Sequence, residues 1–371
     1  MTANQKKSPH RLYAPASRGS AFRVFIILFF LLLFIRNGEI AIQQMRAGLL
    51  LCASHIIPSL FPFMVLSELL VNVSFEQLLQ GRIGTWIGRK LGVSGSSLAA
   101  ILLGSVCGFP VGAKTVVSLY DKGLISKSET ERAMMLCNIP GPGFVIGTVG
   151  LSLFSDRRFG IFLYLSLLIC TLLIGILYRT AIRESGSTSL PPIKPPISPR
   201  CLTDAISSAT FSMLTVCAYV IFFSAVVGCL FYAVRALGVS STFRGFLFSV
   251  FEISSGVHAA ATVPTAAIRT ALCGFSIGWS GLSVHFQIAA LTSGRDISLR
   301  RYFISKTLQS LFCAATAWLY GKFFTTALPP SDQSAVALPT SGYRPLLSSL
   351  ISLFFFICFL LLFRRTFKKL R

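Results

Sequence analysis

A chain of 371 residues that is 53% hydrophobic and only 12% charged falls outside the ordinary soluble class, where charged residues make up roughly 25%. The net charge of +22 does not point to nucleic acid, because the basic residues flank apolar runs and fill the two tails instead of forming a patch interleaved with aromatics. What remains is an α-helical, polytopic membrane protein whose basic ends face anionic lipid headgroups.

Residues 1–20 form a basic tail with Lys6, Lys7, Arg11 and Arg18, and residues 21–371 read as a single transmembrane domain. Val24–Ile35 is a short first span between Arg23 and Arg36, with Asn37-Gly38-Glu39 as its weak end. Ala47–Ser67 is uncharged and carries Pro58 and Pro62, which predicts a kinked second span. A re-entrant hairpin is expected over 93–120, turning at Gly108–Gly112. In the charged connection 121–132, Ser128 with Glu131 reads as a capping box. Ala133–Ser155 is a span broken at Asn138–Gly143, and Phe159–Tyr178 is a clean one. A Pro-rich linker occupies 183–200.

Beyond the linker, Ala205–Val234 is a long span, and a second hairpin over 243–268 turns at Ser254–Gly256. Thr270–Gly294 is broken between Gly274 and Gly281, Thr307–Gly321 is a short span bounded by Lys306 and Lys322, and Pro345–Phe363 is the last. The count is eight spans and two hairpins. The tails and linker, richest in Lys and Arg, go to the cytoplasmic side.

The order span, hairpin, broken span, span occurs twice, as repeat A over 47–179 and repeat B over 205–323. An odd number of spans separates the copies, so their topology is inverted. That is an architecture of secondary transporters, with the site near the midplane where helices break. The two hairpin tips are expected to meet there. Backbone freed by Gly and Pro survives at membrane depth only in protein or beside a wet cavity.

GFPVGAK at 108–114, CNIPGPGFVIG at 137–147, GLSVHFQ at 281–287 and FPFMVLSELLV at 61–71 resemble the sporulation integral membrane protein YlbJ family. That family falls in the nucleoside-recognition Gate domain group, which includes membrane parts of concentrative nucleoside transporters and of the FeoB iron transporter. The resemblance implies a multi-pass protein of the bacterial cell membrane, acting in sporulation and recognising or moving a small polar, nucleoside-like solute. A coupling ion, Na+ or H+, is a further expected partner.

The candidate solute-binding residues are Gly108, Pro110, Gly112, Lys114, Asn138, Gly141, Pro142, Glu252, Ser255, Gly256, Gly281, Ser283, His285 and Gln287. Lys114 reads either as a partner for an anionic group or for Glu252, or as an interfacial lysine. Glu252 is an acid amid apolar residues, suited to a polar interior or to a helix end at the interface. Asn138 suits a polar solute or a sodium ion, and equally a helix cap. His285 reads as a proton relay or, preferably, as a histidine hydrogen-bonded within a bundle. Ten cysteines without a CxxC read as small packing residues, and no motif calls for a cofactor, a metal or enzymatic chemistry. The alternative to transport is a membrane scaffold of the spore envelope.

Overall fold

The computed structural model describes residues 18–72, 81–181, 201–236 and 238–324. The basic tail up to residue 17, the 183–200 linker and the last span at 345–363 lie outside these residues. Among the described residues every regular element is helical.

The first helix, α1 (Arg18–Arg36), stops at Asn37, where the chain turns by 98° into α2 (Gly38–Leu51). Asn37 satisfies the helix end itself, its side-chain amide donating to the Leu33 carbonyl at 2.9 Å. From α2 the chain passes through a π-helical turn, Cys52–Ile56, into α3 (Ile57–Asn72). The kink expected near Pro58 takes this form. A proline cannot donate to the preceding turn, and the extra residue of a π turn accommodates the lost bond. A short amphipathic helix, α4 (Arg82–Leu91), meets α5 (Gly95–Cys107) at 87°.

The first hairpin is α5 followed by α6 (Val111–Asp121), joined by Gly108-Phe109-Pro110. The break is shorter than expected, because Val111 and Gly112 already belong to α6. α7 (Lys127–Cys137) is capped by Ser126, whose side chain accepts from the Glu129 amide at 3.3 Å. The cap predicted at Ser128 therefore falls two residues earlier, and the box does not close. Glu129 is drawn instead to the Ser94 amide and Ser97 hydroxyl, both at 2.6 Å. After the break beginning at Asn138, the chain resumes as a π-helical segment, Gly143–Leu153, and then α8 (Arg157–Ala181).

α9 (Cys201–Ala236) opens the second half. The second hairpin is α10 (Ser241–Phe251) and α11 (Ile253–Ala261), separated by Glu252 alone. Ser254, Ser255 and Gly256, expected as the tip, form the first turns of α11. α12 (Ala266–Trp279) continues through Gly274, so the predicted break between 274 and 281 narrows to Ser280, and α13 (Gly281–Thr292) follows. α14 is Arg300–Phe323, 24 residues, and overrides the short span expected from 307.

On α8, Leu163, Leu167, Cys170 and Ile174 are buried, while Leu165, Ile169, Leu172, Ile176 and Leu177 are exposed. A helix apolar on all sides, with one side left uncovered, needs lipid. α8 and α9 are each long and apolar enough to cross a bilayer, over Arg157–Arg179 and Leu202–Tyr232. The α1–α2 and α4–α5 pairs are also long and apolar enough if each bent pair is one span.

Helix contacts relate the halves reciprocally. α3 packs on α9 and α8 on α14, each a pair in equivalent positions. α6 touches α13, and its counterpart α11 touches the π-helical segment. Close approach depends on small residues: a Cβ at Gly104 or Gly112 would run into the Cys137 carbonyl, and one at Gly274 or Gly278 into the backbone of α14.

Candidate functional site at the helix breaks

The four breaks pack in pairs within each half. Gly108, at φ 82°, lies against Gly141, and a Cβ there would come within 2.6 Å of the Gly141 nitrogen. Gly281, at φ 80°, lies against Glu252, with 2.8 Å between a Cβ and the Glu252 Cα. Each hairpin tip thus seats on the broken segment of its own half, not on the other tip. Pro110 precedes α6, joined to Phe109 by a cis peptide bond, and Pro142 opens the π-helical segment.

Glu252 is buried and extended, and its carboxylate caps α11: Oε1 accepts from the Ser254 amide at 3.0 Å and Oε2 from the Ser255 amide at 2.7 Å. An anion at a helix N-terminus is stabilised both by the exposed amides and by the helix dipole. The expected partnership with Lys114 does not form. Lys114 pairs with Glu68 at 2.8 Å and donates to the Ser208 carbonyl at 2.9 Å, joining α6, α3 and α9. Gly256 is needed for packing, since a Cβ there would strike Ser249 and Ser276.

Asn138 ends α7 and reaches across to the second half. Its Nδ2 donates to the Tyr302 hydroxyl at 3.0 Å, and that hydroxyl lies 2.8 Å from His285 Nδ1. With Asn138 as the donor, Tyr302 gives its own proton to His285 Nδ1, which leaves the imidazole proton on Nε2. Asn138 Oδ1 and His285 Nε2 are buried without a hydrogen-bond partner among the described residues. The Trp279 ring meets His285 edge-on, with centroids 4.4 Å apart. Ser283 and Gln287 are buried on α13, and Gln287 Oε1 also has no hydrogen-bond partner among the described residues.

Sequence reading missed the opposite wall. On α14, Tyr302, Ser305, Lys306, Gln309 and Ser310 are all buried, a polar stripe at helical spacing. Lys306 is 1% exposed. Its ammonium donates to the Ser280 hydroxyl at 3.2 Å and forms no ion pair among the described residues. Ser280, at φ 72°, in turn donates to the Ile277 carbonyl at 3.4 Å. Gln309 donates to Thr171 at 3.2 Å and to Ser305 at 3.3 Å, and its Oε1 has no hydrogen-bond partner among the described residues. The sequence alone sets Lys306 at the edge of a span. The signal that would have placed it inside is the period of polar residues at 302, 305, 306 and 309.

The structure therefore brings Asn138 and His285 together through Tyr302, and sets Lys306 beside the second break. Glu252, Ser255 and Gly281 adjoin through the Gly281–Glu252 packing, while Lys114 stands apart on Glu68. The result is a water-excluded cluster with one buried lysine, donors at Lys306 and His285 Nε2, and acceptors at Asn138 and Gln309. Such groups are costly to bury unpaired, and interior sites of this composition in membrane proteins mark binding positions or ion paths.

These features define an all-α membrane protein with a polar interior at broken helices. Sporulation integral membrane protein YlbJ of Bacillus subtilis (strain 168) is 28% identical over 346 residues, covering 82% of this chain and 84% of that protein. The chain is thus similar to that sporulation membrane protein over most of its length, the resemblance that its motifs carry. No family model and no solved structure matches it.

Proposed function

We propose that this protein acts in the membrane during sporulation as a non-enzymatic, transporter-like carrier of a small polar solute, held where the broken helices of two inverted halves meet. The observation that carries the reading is Lys306, fully buried with one neutral partner. An isolated charge at membrane depth costs at least about 2.5–3.5 kcal/mol, so its retention calls for an occupant. A solute with an acidic group fits this cation better than a neutral nucleoside does. Asn138 Oδ1 and His285 Nε2 would fix its orientation. The membrane location and sporulation role rest on the relative's name and on the apolar helices. Placement of both termini in the cytoplasm rests on their basic residues.

A thermal-shift screen of purified protein against small carboxylic acids, phosphates and nucleosides tests the reading. An acid should raise the melting temperature of the wild type and leave Asn138→Ala less affected. A panel in which no compound shifts the protein favours the scaffold alternative.

A further inference from the structure

One seam between the halves differs from the rest. Between α7 and α14, hydrogen bonds recur from one end of the protein down to the polar cluster. At the outer end the Glu131 carboxylate accepts from the Ser298 amide at 2.9 Å and lies 3.7 Å from Arg301. One turn deeper, Ser305 donates to the Met135 carbonyl at 2.8 Å. Beside it, Asn138 at the inner end of α7 donates to Tyr302. The α3–α9 and α8–α14 contacts also carry polar links, Ser208 to Glu68 and Gln309 to Thr171, but these stand amid apolar and aromatic packing that includes Met64, Met213, Phe159 and Tyr320 and form no ladder.

The seam is closed at its outer end by two further ion pairs between the connections that lead into α7 and α14. Arg295 grips Asp121 through two nitrogens, at 2.7 and 2.6 Å, and Lys127 pairs with Asp296 at 2.6 Å. These bonds raise the Arg295 guanidinium and the Lys127 ammonium above their ordinary ranges, so both stay charged at neutral pH. With about 1.5 Å of rise per residue, Glu131 stands roughly 10 Å above Asn138 on α7, and Arg301 roughly 8 Å above Lys306 on α14.

We infer that this α7–α14 seam is the gate through which the polar cluster is reached from that face, clasped by the Asp121–Arg295 and Lys127–Asp296 pairs. Separation of the two helices exchanges this ladder of bonds for bonds to water, and parts the packing of Met135, Leu136 and Cys137 beside Tyr302 as well. The same movement frees Asn138 from Tyr302, so opening the gate also releases two groups of the proposed solute site. The inference rests on the transport reading for its purpose, but its test needs no solute.

The test uses full-length protein with its cysteines replaced, reconstituted in lipid vesicles. Ser305→Cys reports opening by its labelling with a membrane-impermeant methanethiosulfonate, and Met135→Cys on the facing helix serves as a second reporter. Asp121→Cys with Arg295→Cys supplies a disulfide across the clasp, and the reporter is labelled after the bridge has formed. The expected result is measurable labelling of the reporters, accelerated at least fivefold by Asp121→Asn with Asp296→Asn. The bridge should suppress labelling at least tenfold. Labelling that ignores the bridge overturns the gate. So does its absence from both reporters while a control cysteine at Asp296 reacts. A bridged seam that blocks labelling supports the gate even if the solute screen fails, so the two readings stand or fall separately.

Discussion

In the first half the chain leaves helix where proline and glycine gather, at Gly108–Pro110 and from Asn138 to Pro142. In the second half it leaves at Glu252 and at Ser280, with no proline at either position. The first pair of breaks is written into the backbone, since neither Pro110 nor Pro140 can donate to a preceding turn. The second pair is held by its surroundings. Two amides clamp the Glu252 carboxylate, and Ser280 keeps a left-handed backbone while bonded to Lys306 and Ile277. A break that depends on side-chain bonds can be changed by changing those bonds. The second pair of breaks is therefore the one whose geometry side-chain substitutions can move.

The largest effect is expected at the first pair. Gly108→Ala combines a positive φ with a collision against the Gly141 backbone, and should cost on the order of 3 kcal/mol or more in thermal or denaturant unfolding. A cost below about 1 kcal/mol would mean that this break yields as readily as the second, erasing the contrast.

Next comes Glu252. Replacement by Ala removes both bonds to α11 and should cost about 1–3 kcal/mol, with Gln, which keeps one acceptor, costing less than half as much. Equal losses for Ala and Gln would assign Glu252 a role as a charge and not as a cap.

Ser280→Gly sharpens the comparison from the other side. Glycine relieves the left-handed strain by about 1 kcal/mol but deletes the acceptor for Lys306, so net stability should move by less than about 1 kcal/mol. The smallest effect belongs to Lys127→Ala, whose pair with Asp296 is open to solvent, so the melting temperature should stay within error of the wild type and any difference should fade in salt.

The same contrast explains what could be read from the residues. Hairpin one and the break at Asn138 were legible because Gly and Pro announce themselves. The second hairpin was legible only as an interruption near Glu252, and its turn was placed two residues late, since a Glu serving as an N-cap carries no strong signal. Ser280 was hidden inside a glycine-rich run whose glycines serve packing on α14. The burial of Lys306 is not legible because a lysine beside an apolar run resembles a span boundary. Its burial follows from α14 extending back to Arg300 along a stripe of Tyr302, Ser305 and Gln309. Asn138 and His285 were found, but their joint bond to Tyr302 is a tertiary fact, with partners 164 and 17 residues away.

The central claim is that Lys306 is retained for an occupant and not for the fold, and Lys306→Met tests it most directly when stability and solute flux are measured on the same preparation. An apolar side chain of similar length replaces a buried, poorly paired charge, a change that is neutral or stabilising by about 1–4 kcal/mol in comparable cases. The account predicts an unchanged or higher melting temperature together with loss of acidic-solute flux in proteoliposomes. A destabilised protein, or a stable one that carries the solute as the wild type does, would contradict it.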